Sequence, residues 1–207
     1  RFADDAASLS KTRAFVLPTN PECVKFVDST TLVVAARNEP FLRYVDCETL
    51  HESRVSLNAS AWDTHVSFDV LDLAVAGKYV AAATSKAKVV VYRVRDNKHA
   101  RMLVGHDADD YSNARAAFLG RDDPGTAGDD FRPESIVASS AGRDNALFQW
   151  DFASGKVLTK IPNAHAQVVR NLDVVRPYSL FTTSFDKSVK LWSVADSTAA
   201  TPAAGSC

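Results

Sequence analysis

Short runs in which apolar and polar residues alternate occur along most of the chain, with turn residues between them. Near the C-terminal end, the runs 168–174, 180–184 and 189–194 show this pattern, and Pro177 lies between the first two. Runs of this length and period, rich in Val, Leu, Phe and Thr, indicate strands and not helices. A further run at 156–161, closed by Pro162, completes a predicted unit of four antiparallel strands.

Four side chains of this unit predict a buried chain of hydrogen bonds: His165, Thr182, Asp186 and Trp192. A buried carboxylate needs donors, and one imidazole N–H of His165 can supply one to Asp186. The other ring nitrogen can accept from the Thr182 hydroxyl, whose oxygen can accept from the Trp192 indole. Each group then has a partner, so the set can be buried and is cooperative.

The same types of residue could also form a catalytic triad. We favour a structural lock between strands, because the indole occupies the hydroxyl and because the set recurs. The aspartate lies six residues before the tryptophan and the hydroxyl four before the aspartate; applied at Trp150, these offsets give Asp144 and Ser140. His106, in a Gly-His pair, precedes them.

The unit that opens with Gly105-His106 and closes with Trp150-Asp151 resembles the repeats of the Trp-Asp (WD-repeat) β-propeller family. The last unit matches in part, with His165 and with Trp192 followed by serine. The resemblance implies an all-β fold, a β-propeller built of four-stranded antiparallel blades. The structural hydrogen-bond network would then comprise His106, Ser140, Asp144, Trp150, His165, Thr182, Asp186 and Trp192.

Two weaker copies lie upstream, with Tyr92 and Tyr44 in the place of the tryptophan. Lys86 and Ala82 replace the aspartate and the hydroxyl in one, and Asn38 takes the aspartate position in the other. We therefore expect about four blades, as part of a seven-bladed ring. The interval between Tyr92 and Trp150 is the longest of the three, and it contains a Gly-, Pro- and Asp-rich insertion, 120–133, which predicts a loop. The predicted organisation is a linker at 1–11, blades at 12–46, 52–94, 98–151 and 156–194, and a disordered tail at 195–207.

Composition narrows the functional classes. The chain has 207 residues, 46% of them hydrophobic, and a net charge of −1, which is typical of a soluble globular protein without a general field for nucleic acid. No apolar run is long enough to cross a membrane, so no membrane partner is expected. The three cysteines lack metal-binding spacing and suit reduced thiols in the cytoplasm or nucleus. No phosphate loop or nucleophile elbow is present, so no cofactor, metal or catalytic residue is predicted.

The favoured function is a non-enzymatic protein-interaction scaffold, a subunit or adaptor of a larger assembly. The resemblance implies that partners dock on the face with the Gly-His loop and the aspartate turn. Arg143 and Phe185 directly precede the two structural aspartates, and arginine and aromatic residues are enriched in interfaces. The candidate partner-binding residues are Asn38, Glu39, Lys86, Asp107, Arg143, Gln167, Arg170 and Phe185.

Two other functions stay open. Between residues 86 and 101 six basic residues stand against one acidic residue: Lys86, Lys88, Arg93, Arg95, Lys98 and Arg101 against Asp96. This edge could bind the phosphates of RNA or a ribonucleoprotein, although a charged edge strand also guards against aggregation. The less favoured function is a hydrolase or lyase with its site in the central channel, for which Asp69, Asp72 and Asp173 are the candidates.

Overall fold

The structure, a computed structural model, describes residues 13–57, 68–86, 88–94, 98–105, 114–122, 131–139, 144–175 and 179–193. These residues form fifteen strands and no helix. The strands make four separate antiparallel sheets in which neighbours along the chain are neighbours in the sheet. The all-β prediction and the antiparallel blades are confirmed.

The strands follow one another at regular intervals. Sheet 1 contains β1 (Pro21–Phe26), β2 (Thr31–Ala36), β3 (Phe41–Asp46) and β4 (Glu52–Ser56). Sheet 2 contains β5 (Val70–Ala76), β6 (Tyr79–Thr84), β7 (Lys88–Arg93) and β8 (Lys98–Val104). Sheet 3 contains β9 (Ala116–Asp122), β10 (Phe131–Ser139), β11 (Leu147–Asp151) and β12 (Val157–Ile161). Sheet 4 contains β13 (Val169–Val175), β14 (Ser179–Ser184) and β15 (Val189–Ser193).

The first strands of the sheets contact one another, β1 with β5, β5 with β9 and β9 with β13. They are therefore the inner strands, and the four sheets are arranged as successive blades around them. A complete ring of seven blades stays a prediction.

The core consists of three apolar clusters, one between each pair of adjacent sheets. Leu42 and Tyr92 belong to the first, Val91 and Trp150 to the second, and Leu147 and Leu180 to the third. In β6, Val80 to Ala83 are all fully buried, because one side of the strand faces sheet 1 and the other faces sheet 3. Burial of apolar area between neighbours is thus what holds the blades together.

The sheets are displaced by one strand from the predicted units. β4, β8 and β12 pair with β3, β7 and β11 respectively, so each closes the preceding sheet and does not open the next. The predicted first strand, 13–17, is not a strand. Alternation along the chain identifies strands, but long-range pairing decides their sheet.

Sheet 4 has three strands among the described residues, whereas the other sheets have four. A groove of about 820 Å³ lies between sheets 3 and 4, lined in part by Leu158 and Ile161 of β12 and by Trp192 of β15.

The predicted loop 120–133 is shorter than expected. β9 continues to Asp122 and β10 begins at Phe131, and the backbones of Gly120 and Pro133 are paired. The flanking strands therefore extend into the insertion, while 123–130 lie outside the described residues. Backbone pairing has overridden the low strand propensity of glycine and proline here.

Candidate interaction face

One end of the sheets carries the turns between the second and third strands, together with the beginnings of the inner strands. We call it the turn face; its described residues include 37–40, 85–86, 144–146, 163–168, 170 and 185–188. Of the predicted partner-binding residues, Asn38, Glu39, Lys86, Gln167, Arg170 and Phe185 lie here, whereas Asp107 and Arg143 lie outside the described residues.

The hydrogen-bond chain predicted in the last unit is present in sheet 4. His165 Nδ1 lies 2.9 Å from Asp186 Oδ2, and His165 Nε2 lies 2.7 Å from Thr182 Oγ1. The Trp192 indole N–H donates to Thr182 Oγ1 at 2.8 Å. The pattern is satisfied with the proton on Nδ1, so that the Thr182 hydroxyl donates to Nε2.

Asp186 is surrounded by donors. Its Oδ1 accepts from the Ser188 hydroxyl and backbone N–H, and its Oδ2 accepts from His165 and the Ala166 N–H. The pKa of Asp186 is held well below its ordinary 3.8, chiefly by the Ser188 hydroxyl and also by His165. The carboxylate thereby fastens the β14–β15 turn to the segment that enters β13.

A catalytic role for this set does not fit the geometry. Thr182 is fully buried, and its hydroxyl oxygen already accepts from the Trp192 indole. A nucleophile needs an exposed oxygen and a place for the substrate beside it. The arrangement instead joins three strands and the turn face in one hydrogen-bonded unit.

In sheet 3, His106 and Ser140 lie outside the described residues. Of the corresponding hydrogen-bond network, the structure therefore describes only Asp144 and Trp150. Asp144 Oδ1 accepts from the Ala146 N–H at 3.3 Å, and Oδ2 lies 3.4 Å from Lys160 Nζ. The buried Trp150 indole donates to the Val104 carbonyl of β8 at 3.1 Å. This bond joins sheet 3 to the outer strand of sheet 2.

Tyr92 makes the equivalent bond one sheet earlier. Its hydroxyl donates to the Leu57 carbonyl, directly after β4, at 3.2 Å. A phenol and an indole thus serve the same purpose, because either ring fills the space between sheets and carries a donor at its far edge. The sequence missed these bonds between blades, since a backbone carbonyl as acceptor leaves no signal.

The structure corrects the residue of sheet 1 that corresponds to the tryptophan of the later sheets. The Asp46 N–H donates to the His51 carbonyl as the Asp151 N–H does to Lys156, which makes Asp46 the counterpart of Asp151. Val45, and not Tyr44, therefore corresponds to Trp150. Tyr44 packs between sheets 1 and 2, on the opposite side of its own sheet.

Glu39 was predicted as a partner-binding residue, and this prediction is wrong. Its side chain is buried and bonded through both oxygens to Arg43, at 2.7 Å to Nε and 2.6 Å to Nη2. Thr19 donates to Glu39 at 3.0 Å, and Glu52 contacts Nη1 of Arg43. A buried guanidinium needs such carboxylates, so Glu39 is part of the interior.

Arg170 and Phe185, two predicted partner-binding residues, are brought into direct contact. The guanidinium carbon of Arg170 lies 4.8 Å from the centre of the Phe185 ring, and the ring is 57% exposed. Gln167 is exposed beside them, and its carbonyl accepts from the Ser184 hydroxyl at 2.9 Å. Asn38 and Lys86 are exposed at sheets 1 and 2, so the candidates form separate groups.

The predicted basic edge is divided. Lys88 and Arg93 are the two ends of β7, which places them about 17 Å apart, and Arg95 lies outside the described residues. The Arg101 guanidinium donates to the Phe152 and Ala153 carbonyls of sheet 3. Among the described residues, the basic side chains of this segment thus do not form one continuous phosphate-binding stripe.

The carboxylates proposed for a channel enzyme bond to backbone groups. Asp69 accepts from the Asn38 N–H at 3.1 Å, Asp72 from the Ala116 N–H at 3.2 Å, and Asp173 from the adjacent Val174 N–H. Burial raises the pKa of Asp72. The bonds of Asp69 and Asp72 therefore connect neighbouring sheets, whereas that of Asp173 is local.

Arg115 connects the inner strands and was not singled out by the sequence. Its Nη1 lies 3.8 Å from Asp72 and donates to the Leu71 carbonyl, and its Nε donates to the Arg170 carbonyl.

Burial raises the pKa of the Cys23 thiol, near Arg115, to about 12. Within the described residues, no group of His, Cys, Asp or Glu side chains is placed to hold a metal ion. Nor does this part of the chain contain a helix long and apolar enough to cross a membrane.

Comparison with solved structures places the blade arrangement in a known fold. The chain is similar to U3-55K (TM-score 0.68, 17% identity) and to the RRP9 WD40 repeats (TM-score 0.67, 17% identity), over 87% of this chain and 50% of each of those chains. The chain has the β-propeller fold. It is also similar to the computationally designed Ika4 protein (TM-score 0.62, 18% identity), over 87% of this chain and 94% of that one.

These similarities concern the fold, because the identities are low. The chain spans about half the length of U3-55K and of the RRP9 WD40 repeats. No protein-family profile and no curated protein sequence matches it.

Proposed function

We propose that this chain is a non-enzymatic protein-interaction scaffold, which joins other proteins in a cytoplasmic or nuclear assembly. Its docking surface is the part of the turn face formed by Gln167, Arg170 and Phe185. The observation that supports this proposal is the aromatic ring of Phe185, 57% exposed and held by the Arg170 guanidinium at 4.8 Å. An ordered, exposed aromatic residue beside an arginine has the character of an interface anchor.

The base of this surface is rigid. Phe185 directly precedes Asp186, whose oxygens are bonded to His165, Ala166 and Ser188, and the Phe185 N–H donates to the Val168 carbonyl. A side chain on a fixed turn loses little conformational entropy when a partner binds. The hydrogen-bond network therefore prepares the surface without being part of it.

The test is affinity purification of the full-length protein from its own cells, with mass spectrometry and RNA sequencing of what co-purifies. Wild type is compared with Phe185→Ala and with Phe26→Ala. Phe26 is similarly exposed, at 62%, but ends β1 at the opposite end of the sheets. The proposal expects proteins lost with Phe185→Ala and kept with Phe26→Ala. Unchanged protein partners in Phe185→Ala, or RNA as the dominant ligand, would overturn it.

A further inference from the structure

The charge around Phe185 indicates which chemistry the docking surface selects. We propose that Arg170 and Lys187 make this surface selective for an acidic protein segment, one that presents a carboxylate next to an apolar side chain. The inference rests on the proposed function, since it names the chemistry of the partner at the same surface.

One cation lies over the exposed ring, and a second belongs to the same turn. Arg170 lies over one side of Phe185, and Lys187 follows two residues later in the same turn, exposed and with a positive φ of 68°. Within the described part of the chain, neither side chain forms an ion pair. Both are therefore available to a carboxylate of a partner.

Among the described residues, the carboxylate next to these cations in sequence is not paired with either of them. Asp186 lies between Phe185 and Lys187 in sequence, but its two oxygens accept hydrogen bonds from Ser188, His165 and Ala166. These donors hold the carboxylate against the protein and saturate it. Asp173, three residues after Arg170, lies about 10 Å further along β13.

Among the described residues, the neighbouring elements carry charged groups that are already bonded within the protein. The Arg115 guanidinium donates to the Arg170 carbonyl and is already balanced by Asp72 at 3.8 Å. Lys190 Nζ donates to the Ala164 carbonyl at 2.6 Å. On sheet 3, Asp144 faces Lys160. Beside Phe185, the described cations left to meet a carboxylate of a partner are thus Arg170 and Lys187.

The apolar component comes from the ring and from the adjacent strand. Phe185 is 57% and Val189, the first residue of β15, 68% exposed. A guanidinium already stacked on a ring keeps its fork of donors directed outward, where it can bind a carboxylate through two hydrogen bonds. A partner side chain that packs on Phe185 would place an adjacent carboxylate within that reach.

An acidic protein segment fits this surface better than single-stranded RNA. Nucleic-acid grooves combine several stacking rings with a continuous line of cations. Here Phe185 is the one exposed aromatic residue among the described residues of the turn face, and Arg170 already lies against its ring. One exposed ring with cations beside it is sufficient to recognise one carboxylate and one apolar group.

Selection of a random peptide display library on the purified full-length protein tests the inference. Wild type should enrich peptides in which Asp or Glu stands next to an aromatic or aliphatic residue. Arg170→Glu with Lys187→Glu should reverse the preference toward Lys and Arg. Lys156→Glu, an exposed lysine at the opposite end of the sheets, is the matched control and should keep the acidic preference.

A selected peptide is then measured by fluorescence anisotropy. Arg170→Glu should weaken its binding about tenfold or more, which corresponds to loss of one charge-assisted pair, and a peptide with Asn for Asp should lose a similar factor. Circular dichroism checks that the variants remain folded. Peptides without acidic enrichment, an unchanged preference in the double variant, or tighter binding of an oligouridine probe would overturn the inference. The proposed function is tested separately, by the loss of protein partners from Phe185→Ala in cells. If that loss is observed, the proposed function holds even where the acidic preference is refuted.

Discussion

The Tyr92 hydroxyl donates a hydrogen bond to the Leu57 carbonyl at 3.2 Å, across the boundary between sheets 1 and 2. The Trp150 indole does the same to the Val104 carbonyl across the next boundary. Both rings are fully buried, so each bond forms away from water. Adjacent blades are therefore joined by directional bonds as well as by apolar packing, which fixes their relative position.

Replacement of Tyr92 by phenylalanine should destabilise the protein by about 0.5–1.5 kcal/mol, because the Leu57 carbonyl loses its donor. Tyr44→Phe is the matched control, since the buried Tyr44 hydroxyl has no hydrogen-bond partner among the described residues. Its removal should be neutral or stabilising. Urea unfolding of the two variants measures the difference. An equal loss in both would contradict the role of the Tyr92–Leu57 bond.

Thr182→Val should cost about 1–3 kcal/mol, because it removes the partner of both His165 Nε2 and the Trp192 indole in a buried site. The neighbouring Thr183→Val makes the same chemical change on the other side of β14, where no such network lies. Thermal unfolding followed by circular dichroism compares them. If Thr183→Val were as destabilising as Thr182→Val, the network would contribute nothing beyond β-strand packing.

Glu39→Gln should destabilise sheet 1 by about 1–3 kcal/mol, because the buried guanidinium of Arg43 loses one of its two compensating charges. Glu52 keeps its contact with Nη1, which limits the loss. The control is Glu22→Gln: its partner Arg37 is 55% exposed, and surface ion pairs contribute about 0–1 kcal/mol. Chemical denaturation measures both, and a larger loss from Glu22→Gln would refute the interior role of Glu39.

The lowered pKa of Asp186 should make the folded protein less stable in acid. Its pKa in the folded protein is below the ordinary 3.8, chiefly through Ser188, so its contribution is complete above that pH. The contribution is lost as the pH falls through the lower, folded-state value. The stability advantage of wild type over Asp186→Asn should therefore shrink in acid below 3.8.

Denaturant midpoints at about pH 6 and about pH 2 test this expectation. Asp173→Asn serves as the control, because Asp173 is exposed and accepts only from the adjacent backbone N–H. An advantage over Asp186→Asn that stays constant between the two pH values would contradict the assigned state of the carboxylate.

Much of the fold could be read from the sequence because its signals are local. The alternation of apolar residues identifies β13, β14 and β15. The spacing of His165, Thr182, Asp186 and Trp192 specifies a chain of hydrogen bonds within one sheet. Such groups lie on paired strands, where a fixed period relates position in sequence to position in space. The three hydrogen bonds predicted among these side chains are present in sheet 4.

The remaining features depend on pairing between distant segments. The sequence could not show that β4 closes sheet 1, because its own pattern is the same in either sheet. The extra residue in the β2–β3 turn shifts Val45 into the position predicted for Tyr44, and a one-residue shift turns every side chain to the opposite face. Glu39 lies in the same turn. It was expected at the surface, but its side chain is buried and paired with Arg43.

The sequence by itself determined the strands, the blade type and the buried network of the last unit, since each follows from periods and spacings within a few tens of residues. Tertiary structure decided the sheet boundaries, the bonds from Tyr92 and Trp150 to the preceding blade, and the stacking of Arg170 on Phe185. These features depend on which backbone atoms and side chains meet when separate segments pack. Because the free energy of such contacts comes from long-range burial, no local pattern specifies them.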